Sequence, residues 1–280
     1  MRIIRKVSRI QQAVQKLSRP VVLVPTMGAL HQGHLALLAQ AKRLAGAGGS
    51  TVATIFVNPT QFGPGEDLNR YPRPFRHDCA KLAEGGCDLL LAPPATEMYF
   101  SDHSVTVTES KLAKVMCGAS RPGHFSGVCT VVAKLFHLIG PDIAVFGEKD
   151  FQQLAIIKRM VRDLNFPVRI ASHPTVREPD GLALSSRNAY LSPAERSQAP
   201  VIQKTLTEAA AKAQAGFASR RRLENWMRSQ IKRASLAKID YAVAVDPETL
   251  QPKSPERRPL LLAAAVYFGR TRLIDNQLVR

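Results

Sequence analysis

The sequence predicts an α/β protein, with a parallel sheet covered by helices on both faces and a smaller α+β region after it. Three observations carry this reading. Short apolar runs alternate with helix-length segments as far as about residue 175, the order expected when crossover helices join successive strands. Two of the strand-to-helix passages, 25–34 and 146–153, are rich in glycine and polar side chains. Beyond residue 175 the order changes, with helices first and strands afterwards.

In chain order, the basic start from Arg2 to Val7 reads as a first strand and helix. Apolar runs at 21–24, 51–57, 88–91 and 143–146 read as buried strands, with another at 168–171. Helices are expected at 35–44, 74–85, 128–139 and 151–164. The segment 58–71 holds Pro59, Gly63, Pro64 and Gly65 and reads as a loop. It leaves the C-terminal end of a strand, where open α/β sheets bind ligands. The second region should carry helices at 193–215 and 219–234, then antiparallel strands at 239–245, 259–268 and 271–274. The alanine-rich stretch 209–218 is good helix composition. These segments set two domains, 1–175 and 176–280, with a hinge over 175–181.

Composition bounds the function. A chain of 280 residues, 45% hydrophobic, can bury a sizeable core. No apolar run is long enough to span a bilayer, and the N-terminus lacks a signal-peptide core. Cys79, Cys87, Cys117 and Cys129 show no zinc spacing and read as reduced thiols of a cytoplasmic protein. The net charge is +17. Its densest clusters, Arg220–Arg222 and Arg257–Arg258, lack interleaved aromatics, which argues against a nucleic-acid partner. A positive field still attracts anionic small molecules.

The most informative stretch is Pro25-Thr26-Met27-Gly28-Ala29-Leu30-His31-Gln32-Gly33-His34. Read alone, its histidines are two polar side chains on a turn. In context they sit where a strand hands over to a helix, on one helix face. Helix N-termini attract phosphate through free N–H groups and the helix dipole. Two imidazoles there make a clamp for a triphosphate. Downstream, Leu184, Ser185, Ser186 and Arg187 place hydroxyls beside a guanidinium, which is either a capped turn or a second phosphate-holding jaw.

Three further segments have both a plain and a functional reading. Gly147-Glu148-Lys149-Asp150 begins where a strand ends; Lys149 suits phosphate and Asp150 suits ribose, with Gln153 one turn on. The same residues also make an ordinary charged helix start capped by Asp150. Asn58 and Gln61 present amides suited to hydroxyl and carboxylate groups, although Asn58-Pro59 is also a common turn. Arg121 and His124 precede a helix and could hold a carboxylate or position a phosphate. His77, His103, His137 and His173 have no such setting and are read as structural.

Taken together, PTMGALHQGH, FVNPTQF, RPGHFSGV, FGEKDFQQL and DGLALSSRN resemble the pantoate–β-alanine ligase (pantothenate synthetase) family in order and spacing, over residues 21–192. Leu273-Ile274-Asp275-Asn276 extends the likeness. The resemblance implies a Rossmann-like N-terminal domain of the HIGH-type nucleotidyltransferases, a smaller C-terminal lid and a homodimer. It implies that ATP, accompanied by Mg²⁺, and pantoate form pantoyl adenylate and pyrophosphate. β-Alanine then displaces AMP, and no enzyme nucleophile takes part.

Carried residue by residue, the resemblance gives His31 and His34 the ATP phosphates. Lys149, Ser185, Ser186 and Arg187 take the pyrophosphate end. Gly147 and Asp150 position ribose, and Val176 and Leu184 border adenine, with Pro25, Thr26 and Met27 also lining the ATP site. Gln61, Gln153 and Met27 hold pantoate, and Asn58, Arg121 and His124 lie toward pantoate or β-alanine. The chain departs from the family pattern twice, with Cys117 where glutamate is common and Thr60 where methionine is common. Two rival readings are another HIGH-type nucleotidyltransferase with a phosphorylated acceptor, and a basic nucleic-acid-binding protein on an old catalytic fold.

Overall fold

The computed structural model describes residues 1–217 and 219–280. The strands β1 (Arg2–Ile4), β2 (Val21–Val24), β3 (Ser50–Thr54), β4 (Leu89–Leu91), β5 (Ile143–Gly147) and β6 (Arg169–His173) form one parallel sheet in the order β1-β4-β3-β2-β5-β6. A second, antiparallel sheet pairs β7 (Ala237–Val245), β8 (Leu260–Phe268) and β9 (Thr271–Val279). The helices are α1 (Ile10–Val14), α2 (Gln32–Ala45), α3 (Phe75–Glu84), α4 (Ala95–Met98), α5 (Cys117–Ser120), α6 (His124–Ile139), α7 (Phe151–Asp163), α8 (Pro193–Gln198), α9 (Val201–Gln214) and α10 (Arg220–Ile231).

β2 explains the two-sided burial. Successive side chains of a strand point to opposite faces. Val21 and Leu23 join a core built with α1, α6 and α7. Val22 and Val24 face the other way, onto Ala41 and Ala45 of α2. A strand covered on both faces must be apolar throughout, hence Val-Val-Leu-Val. β8 repeats this logic: Leu260, Leu262 and Ala264 pack with Leu206, Ala209 and Leu223 of α9 and α10, while Leu261 and Ala263 join the core of the parallel sheet. The small sheet is therefore a shared wall, welded to the larger one by apolar burial.

Several bounds differ from the sequence reading, each for a physical reason. The helix expected at 193–215 is two helices, because Pro200 has no N–H to continue α8 and opens α9. Helix α2 begins at Gln32 rather than 35, which puts His34 inside its first turn. Strand β3 stops at Thr54, before the end expected at 57. β9 runs on to Val279 past Asp275 and Asn276, whose buried side chains find partners across the fold. Helix α9 ends at Gln214, and Ala218 of the alanine-rich stretch lies outside the described residues.

The segment 175–181 is no free linker. Arg177 makes a forked pair with the buried Asp275, at 2.6 and 3.0 Å. Glu178 accepts from Arg196 and from the Asn188 side chain. Gly181 turns the chain at φ +91°, donating to the Glu178 carbonyl.

Helix α6 approaches the 58–62 segment closely because Gly127 has no side chain: a Cβ there would lie 2.4 Å from the Thr60 carbonyl oxygen. Gly127→Ala is therefore expected to destabilise the protein by about 1–3 kcal/mol through overpacking. Gly48→Ala, with nothing within 4 Å of the added Cβ, should change stability by less than about 0.5 kcal/mol. Urea unfolding of both variants makes the comparison; equal midpoints would contradict this packing account.

Candidate active site

The chain leaves β2 toward β3 on one side, while β5 lies on its other side. The crevice beyond the C-terminal ends of β2 and β5 is thus a topological switch point, the usual ligand position in such sheets. Segment 25–34 emerges from β2 and 147–150 from β5. Thr26 ties the end of β2 to β3, donating to the Thr54 carbonyl at 2.5 Å and accepting from the Gly28 amide at 3.1 Å.

The turn that follows is held by a residue the sequence reading missed. Gly28 and Ala29 both have positive φ, +84° and +52°. Asp78 of α3, fully buried, accepts from the Ala29 and Leu30 amides at 2.8 Å each. Lys81, one turn on, donates to the Leu30 carbonyl at 2.6 Å. Asp78 reads as an ordinary helix residue in sequence, and only the tertiary fold brings it under the turn.

His31 caps α2 and His34 sits in its first turn, in a reciprocal arrangement. The His31 Nδ1 accepts from the Gly33 amide at 3.2 Å, and the His34 Nδ1 accepts from the His31 amide at 3.3 Å. A neutral imidazole that accepts at Nδ1 carries its proton on Nε2. Both rings therefore present an Nε2–H donor, with centroids 4.1 Å apart. Burial, then the Lys149 and Lys81 charges, lower the His31 pKa to about 4. Burial, then His31, lower that of His34 to about 3. At neutral pH the pair is an uncharged double donor at a helix N-terminus.

Beyond the end of β3, Asn58 is buried and fully engaged. Its Nδ2 donates to Gln61 Oε1 (3.2 Å) and the Gly127 carbonyl (3.1 Å). Its Oδ1 accepts from the Tyr99 hydroxyl and Thr60 Oγ1, both at 2.9 Å. With Oε1 held, Gln61 turns Nε2 toward Met27 Sδ, 3.0 Å away. Arg121 spends its fork on Glu66, at 2.6 Å twice, and donates to His124 Nε2 at 3.0 Å. His124 Nδ1 in turn donates to the Gln61 carbonyl at 2.8 Å. Burial and the Arg121 charge lower its pKa to about 4. Asn58, Arg121 and His124 thus form a frame that orients Gln61.

A cleft of about 570 Å³ opens between this face and the C-terminal region. It is lined by the expected Lys149, Asp150, Gln153, Arg121, His124, Ser185 and Arg187. The remaining expected residues, Pro25, Thr26, Met27, His31, His34, Asn58, Gln61, Gly147, Val176, Leu184 and Ser186, lie outside that lining. The histidines connect to it electrostatically, since Lys149 and Asp150 both act on their protonation. Leu184 reaches the histidine turn, 3.9 Å from where a Gly33 Cβ would stand, and donates through its amide to the Val176 carbonyl. Asn276 fixes the turn after β5, donating to the Glu148 and Lys149 carbonyls at 2.9 Å each.

The 184–187 segment is a capped turn, with Ser185 Oγ accepting from the Arg187 amide at 3.3 Å, and it is latched to the 58–71 loop. Arg187 grips Asp67 with two bonds of 2.9 Å. Burial opposes ionisation of Asp67, but the Arg187 bonds and charge win and hold its carboxyl below the usual range. Tyr190 donates to the Arg70 carbonyl at 3.2 Å. The departures from the family pattern are accommodated here. Cys117 Sγ lies 3.4 Å from Arg272 Nη1 and 3.2 Å from the Tyr241 hydroxyl, while Asp240 pairs with Arg272 at 2.6 Å. Thr60 turns its hydroxyl into the Asn58 and Tyr99 network.

The depressed histidine pKa values have a sign. The folded protein binds fewer protons than the unfolded chain between the unperturbed pKa of 6.5 and the lowered values near 4 and 3. This stability is full above 6.5 and drains away as pH falls toward the folded values. Replacing both histidines with asparagine should flatten the fall of unfolding free energy between pH 6.5 and 4, measured by urea titration at each pH. An unchanged slope would contradict the buried neutral pair.

The geometry agrees with what the chain is similar to. The family model described as pantoate-beta-alanine ligase matches residues 2–278. A pantothenate synthetase of Akkermansia muciniphila is 54% identical over 256 residues, covering 91% of each chain. The crystal structure of pantothenate synthetase from Thermus thermophilus superposes with a TM-score of 0.94 at 46% identity, over 100% of this chain and 99% of that one. A Francisella tularensis pantoate-beta-alanine ligase, solved with beta-gamma ATP and beta-alanine, gives a TM-score of 0.81 at 34% identity, covering 99% and 97%. A match along nearly the whole chain, on a parallel sheet whose switch point holds the paired histidines, places this chain in the pantoate–β-alanine ligase family.

Proposed function

We propose that the chain condenses (R)-pantoate with β-alanine through a noncovalent pantoyl adenylate, using ATP and releasing AMP and pyrophosphate. The observation that supports the detail is the pair of Nε2–H donors on His31 and His34 at the switch point, near enough to Lys149 for its charge to act on both rings. A pantoate carboxylate oxygen attacks the α-phosphorus, and the bond to pyrophosphate breaks. The β-alanine amine then attacks the acyl carbon, loses a proton, and AMP leaves with the bridging oxygen. Two anions must meet in the first step, so fixed donors and cations supply most of the catalysis, with pre-alignment of the reactants.

His31 and His34 donate to the phosphates without adding charge that must be desolvated. Lys149, Ser185, Ser186 and Arg187 hold the pyrophosphate end, Gly147 and Asp150 the ribose, and Val176, Leu184, Pro25, Thr26 and Met27 the rest of the nucleotide. Gln61 and Gln153 hold pantoate, with Met27 against its methyl groups. Gln153 lines the cleft, and its side chain has no hydrogen-bond partner among the described residues. Asn58, Arg121 and His124 act through Gln61. Mg²⁺ would accompany ATP and would supply neutralisation of phosphate charge. Such an ion keeps water and substrate oxygens as ligands and needs no cage of protein side chains.

Residues 1–175 serve as the nucleotide- and pantoate-binding domain and 176–280 as the lid that shields the adenylate from water. The protein works in the cytoplasm; no helix among the described residues is long and apolar enough to cross a membrane. It acts as a homodimer, a reading supported by Phe100 and Val105, apolar yet 71% and 83% exposed.

Pyrophosphate release from Mg-ATP should require pantoate, and AMP and pantothenate should appear together once β-alanine is added. Folded, ATP-binding protein without pantoate-dependent turnover would sink the assignment. His34→Ala should lower kcat/KM by about 10²–10³-fold, the usual effect of removing one preorganised transition-state donor. Gln61→Ala should raise the KM for pantoate by about tenfold or more while leaving that for ATP nearly unchanged. Equal changes in both constants would move Gln61 out of the pantoate site.

A further inference from the structure

A second cleft, about 770 Å³, lies between helix α7 and the chain around residues 247–259. Its wall is apolar where Phe151 and Leu154 line it, and basic where Lys158, Arg159 and Arg258 do. Five cationic side chains line it, against Glu248 as the one acidic side chain among the described residues of the lining. Arg162 pairs with Asp163 at 2.7 Å, whereas Arg159 spends only an Nη2 donor, on the Glu248 carbonyl at 3.3 Å, and forms no ion pair among the described residues. Lys158 and Arg258 have no ion-pair partner among the described residues.

Arg258 is the unusual member. Its Nη1 is shielded from water and meets no hydrogen-bond acceptor among the described residues. A guanidinium N–H left in this state is costly, because desolvation is not repaid by a partner. Among the described residues, no acid pairs with Arg258 to repay it. An oxyanion entering the cleft would supply the missing acceptor after a turn of the guanidinium. The excess of cations over Glu248 favours a multiply charged oxyanion over a single carboxylate. The apolar wall favours a ligand with an apolar or aromatic body.

We propose that this cleft binds a small phosphorylated organic anion, with its phosphate on Arg258, Lys158 and Arg159 and its body against Phe151 and Leu154. Phe151 also lines the cleft between the jaws and directly follows Asp150. A ligand here therefore bears on the start of the helix that carries the Lys149 turn. The proposal concerns binding alone and stands independently of the ligase reading.

Calorimetric titration of the whole chain at low ionic strength tests it, with phenyl phosphate, inorganic phosphate and phenol as separate probes. The expected result is one site for phenyl phosphate, at least about tenfold tighter than for inorganic phosphate or phenol. Arg159→Glu and Arg258→Gln should each weaken it by about tenfold or more, and Lys149→Ala should leave it unchanged. Should Arg258→Gln fail to fold, the Arg159→Glu arm decides the matter. Absence of binding at millimolar concentration overturns the proposal. So does equal affinity for inorganic phosphate, or binding lost in Lys149→Ala and kept in Arg159→Glu.

Discussion

The reciprocal hydrogen bonding of His31 and His34 at the start of α2 is the constraint on which the site depends. Each ring spends Nδ1 on a backbone amide, so the helix is capped and the tautomer fixed by the same two bonds. Burial between the helix start and the Lys149 and Lys81 charges keeps both rings neutral. What remains free is a pair of N–H groups added to those of the helix itself, where anions are favoured. A cationic pair would bind phosphate more strongly in the ground state, at the expense of desolvating two charges 4.1 Å apart. The neutral pair supplies directed N–H donors without a charge of its own.

Everything near this pair keeps its geometry rigid. Asp78 and Lys81 hold the preceding turn from α3, and Thr26 ties the strand ends. On the opposite wall, Glu66, Arg121 and His124 are linked in a chain that ends on the Gln61 carbonyl. Asn276 carries the C-terminal sheet onto the Lys149 turn. The Arg187 turn is tied to the 58–71 loop in the same manner. Its fork is taken by Asp67, so a phosphate recruiting Arg187, as proposed, would exchange one oxyanion for another, with the desolvation of the guanidinium already met.

Much of this was legible in the sequence, for identifiable reasons. A strand buried on both faces must be apolar throughout, so β2, β5 and β8 announce themselves. The placing of His31 and His34 between a strand and a helix was legible as well. Length was harder to read: β9 continues through Asp275 and Asn276, polar residues made tolerable by Arg177 and by two carbonyls far away in sequence. Asp78 gave no local signal, because its partners lie about fifty positions upstream and meet it only in the folded chain. Asn58, Arg121 and His124 were legible as important; their role as a frame around Gln61 needed the hydrogen-bond directions.

The most direct test of this account is the protonation state of the two histidines, read from the ¹⁵N shifts of their ring nitrogens as pH is lowered, with His31→Asn and His34→Asn assigning the signals. The account predicts neutral rings protonated at Nε2 at pH 7, titrating only toward about 4 and 3. A midpoint near the unperturbed 6.5, or a proton on Nδ1, would contradict it.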